Sequence, residues 1–541
     1  MTFTLANPLT AMAGASDAVR QSAAAEMRAG NSQEAERLLR QHLVRQPADV
    51  PVLVRLGEHL GQQGRFKEAL VLLQRASAAA PGDGSIRLSL ARLLEEQGDV
   101  DSALEQIEAI GAPLRSEVPV RLIEAALLGK LGDHDREIAI YEELTVELPR
   151  DHVLWMNLGT ALKYAGRADD SQRAFRRSVA VRPSFGEGWW SIANLKSARF
   201  ESADLATMRK SLRGKISADD ALHLHFALGK ALEDRGRYEQ SFHHYSQGNA
   251  IRAAGLTPQQ MRVTPFLDQA VATFDEALFD RLGGKGDQSR DPIFVVGLQR
   301  SGSTLVEQIL ASHAMIEGTA ELMALQHVWT GLGRTAQKEG LSAWEWIAKA
   351  GPEQLAALGA EYLDRARPFR RTDRPMFVDK LPANWMMVGL IRLILPNARI
   401  VDARRHPMAC GFSNFKQHYA TGVAFAYSQE AIGHFYADYL RMMEHMDRVQ
   451  PGAVHHILNE RLIDDKEREV RRLLDYVGVP FDPACLESHR TKRAVNTPSA
   501  EQVRRPINRD GVDYWRHYET WLEPMRSALG DALDRWDNVP V

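Results

Sequence analysis

Residues 291–313 read DPIFVVGLQRSGSTLVEQILASH. Ile293 to Val296 is a short, wholly apolar run, the pattern of a parallel strand buried on both faces. Gly297 to Gly302 makes a tight loop, and from Ser303 onward Leu305, Ile309 and Leu310 fall on one helical face. Strand, glycine loop and helix start together aim backbone N–H groups and the positive end of a helix dipole at one point, which suits a phosphate-like anion. Arg300, Ser301, Ser303 and Thr304 add side-chain donors. This stretch predicts an α/β domain with a parallel sheet in the second half of the chain.

The loop spacing is nearly that of a Walker A motif, G-x-x-x-x-G-K-[ST], but Ser303 stands where the lysine belongs. Without that lysine an ATPase loses its main contact to the transferred phosphate. Asp402, ending the apolar-rich ARIVD, is placed like a Walker B aspartate, although one Asp after a strand is more often structural.

Ahead of this segment the chain repeats itself. Gly30, Gly64, Gly98, Gly132 and Gly166 are spaced by 34 residues, and Pro47, Pro81, Pro149 and Pro183 keep the same period with Arg115 interrupting it. Ala35, Ala69 and Ala103 mark a small position that relaxes to Glu137 and Ser171. One unit, residues 50–83, reads VPVLVRLGEHLGQQGRFKEALVLLQRASAAAPGD. It encodes helix, turn, helix: Gly takes the left-handed turn and Pro stops the second helix. The small residue lets the two helices approach closely.

This period resembles the tetratricopeptide repeat over about residues 17–200. A degenerate copy, HFALGKALEDRGRYEQSFHHYSQGNAIR, carries its turn glycine at Gly236, and residues 197–219 read as a connector or distorted repeat. The resulting division is a solenoid over 17–255 and an α/β domain over 256–541. A solenoid offers a groove for a peptide or partner protein. Trp155, Trp189 and Trp190 would either wall that groove or pack between helices.

Charge and cysteine content exclude several classes. The 541 residues carry 67 Lys+Arg against 70 Asp+Glu, a net charge of −3, so no global field favours nucleic acid or acidic membranes. Any bound anion must be held by a local cluster. The 2 cysteines, Cys410 and Cys485, cannot build a disulfide framework or a zinc-ligand pair, and no metal is expected. The first residues lack the pattern of a signal peptide, and no window approaches 18 uninterrupted apolar residues, so a cytoplasmic chain without membrane spans is the expectation. HHY at 243–245 and HH at 455–456 lack a third ligand at useful spacing and read as capping or solvent-facing. Cys410 reads as a small buried hydrophobe.

Loops of the form [KR]-S-G-[ST]-T after a strand resemble the 5′-phosphosulfate-binding loop of sulfotransferases, which use 3′-phosphoadenosine 5′-phosphosulfate (PAPS). ARIVDARRHPMACGFSNFKQ adds Arg405 and, eight residues on, Ser413. That pair resembles the family's grip on the donor's 3′-phosphate, which a guanidinium fork and a hydroxyl suit. DKLPANWMMVGLIRLILPNAR resembles the lysine segment of tyrosylprotein sulfotransferases and their bacterial relatives. TPSAEQVRRPI resembles the family's late loop over the nucleotide. The resemblance spans about residues 290–525, and it implies a parallel sheet related to nucleotide kinases with no metal requirement.

By this resemblance Arg300, Ser301, Gly302, Ser303 and Thr304 hold the 5′-phosphosulfate. Arg405, Ser413 and Gln502 serve the rest of the nucleotide. Glu321, 21 residues after Arg300, is the base for the acceptor hydroxyl. Lys380 contacts the leaving oxygen, and Ser499 supports the transition state. Departures from the animal tyrosylprotein enzymes are Asn459 for a tyrosine, Gln417 for a basic residue (with Lys416 adjacent), and Tyr514 for a late phosphate-binding lysine. Ala324 and Val328 replace the arginines that engage acidic peptides. Acidic tyrosine peptides are therefore not implied as the acceptor, and a hydroxyl of a protein, a saccharide or a small phenol stays open. The competing readings are a P-loop kinase or NTPase, and a non-catalytic repeat scaffold with a degenerate nucleotide domain.

Overall fold

The computed structural model describes residues 8–195, 198–319, 321–419, 422–491 and 500–540. Two compact units emerge, Met1–Arg182 and Pro183–Val541.

The first unit is all helical. After Pro8–Arg28, helix pairs follow the 34-residue period, among them Val50–Gln62 with Phe66–Ala79, and His152–Tyr164 with Ala168–Val181. The turn glycines are left-handed, as the sequence predicts: φ is 74° at Gly64, 84° at Gly98 and 81° at Gly132. The small positions Ala35, Ala69 and Ala103 are fully buried. Where the pattern relaxes, Ser171 turns its hydroxyl to the Gly159 carbonyl at 2.6 Å, so a polar residue is accepted without an unmet hydrogen bond. Asp49, Asp83 and Asp151 keep the same 34-residue period and cap the first helix of their units, the Asp83 carboxylate accepting from Ser85 N at 2.9 Å. Each such cap contributes about 1 kcal/mol.

The second unit opens with helices Gly186–Asn194, Ser202–Leu212, Ala218–Glu233 and Tyr238–Ala253. The last two form a repeat-like pair. Gly236 sits at φ 68°, and Ser241 donates to the Gly229 carbonyl at 2.7 Å, repeating the Ser171–Gly159 contact. The sequence-based division at 255 follows the end of the repeat pattern, whereas the compact units divide after Arg182. The reason is packing. Asn249 donates to the Phe415 carbonyl at 2.8 Å, and Phe242 stacks on Phe415 and Trp521. These repeat-like helices thus belong to the α/β unit's core.

Five strands follow: β1 (Pro292–Gly297), β2 (Ile316–Gly318), β3 (Met376–Asp379), β4 (Arg399–Arg404) and β5 (Val454–Leu458). They form one parallel sheet in the order β2-β3-β1-β4-β5. β1 lies at the centre, and Ile293 to Val296 are fully buried, as the apolar run demands. Its neighbours β3 and β4 come later in the chain, which leaves a crevice beyond the carboxyl end of β1, where open α/β sheets bind ligands.

Trp189 and Trp190 are buried, and Trp155 half-buried with its ring nitrogen on the Pro149 carbonyl at 3.0 Å. Helix packing accounts for Trp155 and Trp189. Trp190 in addition borders the cavity described below.

Candidate functional site

The loop after β1 is tightly constrained. Gly297 has φ 135°, and a Cβ there would overlap the Ala403 carbonyl oxygen on β4. Gly302, at φ 102°, is the N-cap of helix Ser303–Ala311. Between them Arg300 adopts φ 68°, the only non-glycine with positive φ among the described residues. Such a conformation costs about 1 kcal/mol or more and persists where surrounding contacts enforce it. Those contacts are present. Arg405 Nη1 donates to the Arg300 carbonyl at 3.2 Å, Arg300 Nε donates to Ser413 Oγ at 3.1 Å, and its Nη2 reaches Gln502 Oε1 at 3.4 Å.

One cavity of about 840 Å³ is lined by Arg300, Gly302, Ser303 and Thr304 on the loop side, by Arg405 and Ser413 beyond β4, and by Gln502. Seven of the sequence-predicted residues therefore border a single space. Ser301 is buried behind the loop, and its hydroxyl has no hydrogen-bond partner among the described residues. Arg405 Nε is likewise buried without a partner there, and burial lowers the Arg405 pKa from its ordinary value. Unmet donors at a helix N-terminus fit an anionic group. Ser499 lies outside the described residues.

Glu321 and Lys380 meet at the end of the sheet. β2 and β3 pair in parallel with Gly318 opposite Val378, so the segments leaving both strands run side by side. Lys380 is buried, and its Nζ forms an ion pair with Glu321, whose side chain is 46% exposed. A second carboxylate, Glu307, lies 4.0 Å from Nζ. Glu307 belongs to helix Ser303–Ala311, so one helix joins the anion loop to this lysine. Lys380 is thus not the surface lysine that its helix-opening position would ordinarily imply. Beside it, Asp379 is fully buried, accepts from Tyr362 Oη at 2.9 Å, and has its pKa pushed up to about 7 by burial.

Other sequence readings sort themselves by geometry. Arg404 turns away from the cavity into a buried network. Its Nη2 donates to Asp402 at 2.9 Å, and Asp402 also meets His456 Nδ1 at 2.8 Å. Asp402 is therefore a structural carboxylate, not a Walker B group facing the loop. His456 is a correction: it is buried, with Nε2 on Asp447 at 2.9 Å, rather than capping or facing solvent. Burial opposes its charge, but the carboxylates outweigh burial and raise its pKa. His455 stacks on Tyr476. Among the described residues no cluster of His, Cys, Asp and Glu is placed to hold a metal. Cys410 is buried, which pushes its thiol pKa up to about 12. Ala324 and Val328 are buried in helix Ala324–Lys338, so neither position can present a side chain to an acceptor.

Comparison with known proteins fits this geometry. Residues 292–483 match the family model described as "Sulfotransferase family". The chain carries a sulfotransferase-family domain. Residues 20–83 and 60–127 match tetratricopeptide-repeat models. An uncharacterized protein of Aquifex aeolicus (strain VF5) is 29% identical over 382 residues, 70% of this chain but 50% of that protein, so the chain spans half the length of that relative. A Caenorhabditis briggsae chain provisionally named a protein-tyrosine sulfotransferase is 23% identical over 253 residues, 44% of this chain and 85% of that one. Among solved structures, the sulfotransferase domain of the Synechococcus PCC 7002 olefin synthase is 22% identical, covering 42% of this chain and 88% of its own, with a TM-score of 0.31. MamA is 17% identical, covering 29% of this chain and 93% of its own, with a TM-score of 0.28.

Sequence reasoning missed part of the cavity wall. Arg199, Lys230 and Glu233 line it from segments that precede the sulfotransferase domain. Nothing local in those segments marks them as ligand-facing. Glu233 is tied to Lys416, which is distant in the chain.

Among the described residues no helix is long and apolar enough to cross a membrane.

Proposed function

We propose that this protein transfers a sulfuryl group from PAPS to a hydroxyl acceptor, with the repeats recruiting the acceptor or a partner protein. The observation that carries the reading is one cavity shared by the anion loop, Arg405, Ser413 and Gln502, joined through Glu307's helix to the Lys380–Glu321 pair. When bound, PAPS supplies an activated sulfuryl group whose bridging S–O bond breaks as the acceptor oxygen–sulfur bond forms. The loop N–H groups, with Ser303 and Thr304, would fix the 5′ end. Arg405 and Ser413 would hold the 3′-phosphate by a guanidinium fork and a hydroxyl.

Glu321 is exposed enough to meet an acceptor and carries the role of general base, taking the hydroxyl proton as the oxygen attacks. Lys380 pairs with Glu321 and is buried beside the loop helix, so it can favour negative charge on the departing phosphate oxygen. These cations and N–H groups supply the charge stabilisation that Mg²⁺ supplies in ATP chemistry. Because positions 324 and 328 are a buried alanine and a buried valine, acidic tyrosine peptides gain no arginine contact from either position.

The test is single-turnover transfer from isotopically labelled PAPS in a host lysate fraction that takes up label. Glu321→Gln should slow transfer by about 100-fold or more while nucleotide affinity stays within about twofold. Undiminished transfer by Glu321→Gln would remove Glu321 from the role of base.

A further inference from the structure

Lys380 is a buried cation with two carboxylates beside it, and the two differ in kind. Glu321 is half exposed and open to an acceptor, whereas Glu307 is fully buried, 4.0 Å from the same Nζ. Glu307 stands four residues after Ser303 and three after Thr304 in helix Ser303–Ala311, on the face that carries those loop donors. A carboxylate one turn inside a helix N-terminus opposes an anion bound at that terminus, because both draw on the same positive field. Glu307 therefore does nothing for the anion itself, and its charge works on Lys380 instead. Other groups act on the same cluster. Asp379, next to Lys380 and hydrogen-bonded by Tyr362, feels Glu307 and Lys380 with opposite signs. On the Glu321 side, the buried Tyr419 phenol lies within electrostatic reach of Arg300 and Glu321.

In the transfer step the acceptor O–H bond breaks as its oxygen bonds to sulfur, and the proton goes to the Glu321 carboxylate. Glu321 is then neutral and no longer an ion-pair partner for Lys380. A buried ammonium left without a carboxylate is strongly destabilised, so a lysine paired with Glu321 alone would resist the protonation on which the step depends. We propose that Glu307 is a positioning residue that keeps Lys380 partnered while Glu321 takes the acceptor's proton. Lys380 then stays charged and in place to meet the departing phosphate oxygen, and Glu321 is released to act as base. The two glutamates cannot exchange roles, because burial keeps Glu307 away from any acceptor. A lone Lys380–Glu321 pair would hold the glutamate ionised. A second carboxylate shares the lysine and makes protonation of the first easier.

This inference rests on the PAPS reading with Glu321 as its base, and one experiment separates the two. Single-turnover transfer from isotopically labelled PAPS to the lysate fraction that takes up label is followed from about pH 4 to about pH 9. The full chain is compared with Glu307→Gln and Glu307→Asp. Glu307→Gln leaves the whole lysine charge to Glu321, so the acid limb of its rate profile should move down by about one pH unit. Glu307→Asp keeps the charge, and its limb should stay within about 0.3 unit of wild type. Glu307→Gln should also bind adenosine 3′,5′-bisphosphate at least as tightly as wild type in a calorimetric titration, since a negative charge behind the loop has gone. Because Asp379 titrates beside Lys380, the profiles are repeated with Asp379→Asn added, and the same displacement is expected. An acid limb that stays put in Glu307→Gln, one that moves equally in Glu307→Asp, or one that moves only while Asp379 is present overturns this inference, and the donor reading stands. Weaker bisphosphate binding by Glu307→Gln does the same, because it marks Glu307 as a support of the loop. A wild-type chain that labels no lysate fraction overturns both.

Discussion

At the repeat turns, Gly30, Gly64, Gly98, Gly132 and Gly166 share one left-handed conformation, and a Cβ at any of the first four would meet nothing within 4 Å. At the anion loop, Gly297 and Gly302 have positive φ as well, but the space around them is taken. A Cβ on Gly297 overlaps the β4 backbone, and one on Gly302 comes within 3.0 Å of Asn459 Oδ1. Between them an arginine is held where glycine would be comfortable. The repeats need glycine for conformation alone. The loop needs it for conformation and for close approach, and it tolerates strain at Arg300 to place a guanidinium.

The sharpest way to break this contrast is to substitute one glycine in each region. Gly297→Ala should cost about 3 kcal/mol or more, because both φ and the Ala403 carbonyl oppose the methyl group. Thermal unfolding of the full chain would reveal it as an early transition of the α/β unit. A loss below about 1 kcal/mol would show that the loop can yield.

Arg300→Gly comes next and should move two observables in opposite directions. Relief of the positive φ should stabilise the fold by about 1 kcal/mol, while loss of the guanidinium should weaken bisphosphate binding by about 30-fold. Parallel changes in both would mean that Arg300 serves the fold rather than the ligand.

The strand next to β1 adds a pH dependence, through Asp379 at the carboxyl end of β3. Asp379 titrates near 7 when folded, against an ordinary value of 3.8, because it is buried. A raised folded pKa means that its contribution to stability is fully present below the unfolded value and is lost as pH rises through the folded one. Asp379→Asn should therefore gain stability relative to wild type as pH rises from about 4 to about 7, with little further change above about 8. A melting-temperature difference that stays constant with pH would contradict this. The smallest effect belongs to the repeats: Gly98→Asn, with open space and a residue that accepts left-handed φ, should cost about 0.5 kcal/mol.

What the sequence made legible is local or periodic. The 34-residue spacing marked the repeat turns, the apolar run 293–296 marked the central strand, and the loop residues came into one cavity with Arg405, Ser413 and Gln502. Lys380 and Glu321 were named separately, and the parallel pairing of β2 with β3 brings them together. What stayed hidden depends on long-range packing. The Glu233–Lys416 pair joins residues 183 positions apart, and neither segment carries a pattern that anticipates it. Burial of His456 between Asp402 and Asp447 was invisible for the same reason. The repeat pattern also ran past the boundary between compact units, because the same helix-pair grammar serves both a solenoid and the flank of an α/β core.

On the proposed function, the cavity takes a 3′-phosphorylated adenine nucleotide rather than a triphosphate with magnesium. Calorimetric titration of the full chain with adenosine 3′,5′-bisphosphate, and separately with ATP and Mg²⁺, tests it most directly. The bisphosphate should bind at least about tenfold more tightly, a difference of about 1.4 kcal/mol. Tighter binding of ATP–Mg²⁺ would contradict it and turn the loop into that of a kinase or NTPase.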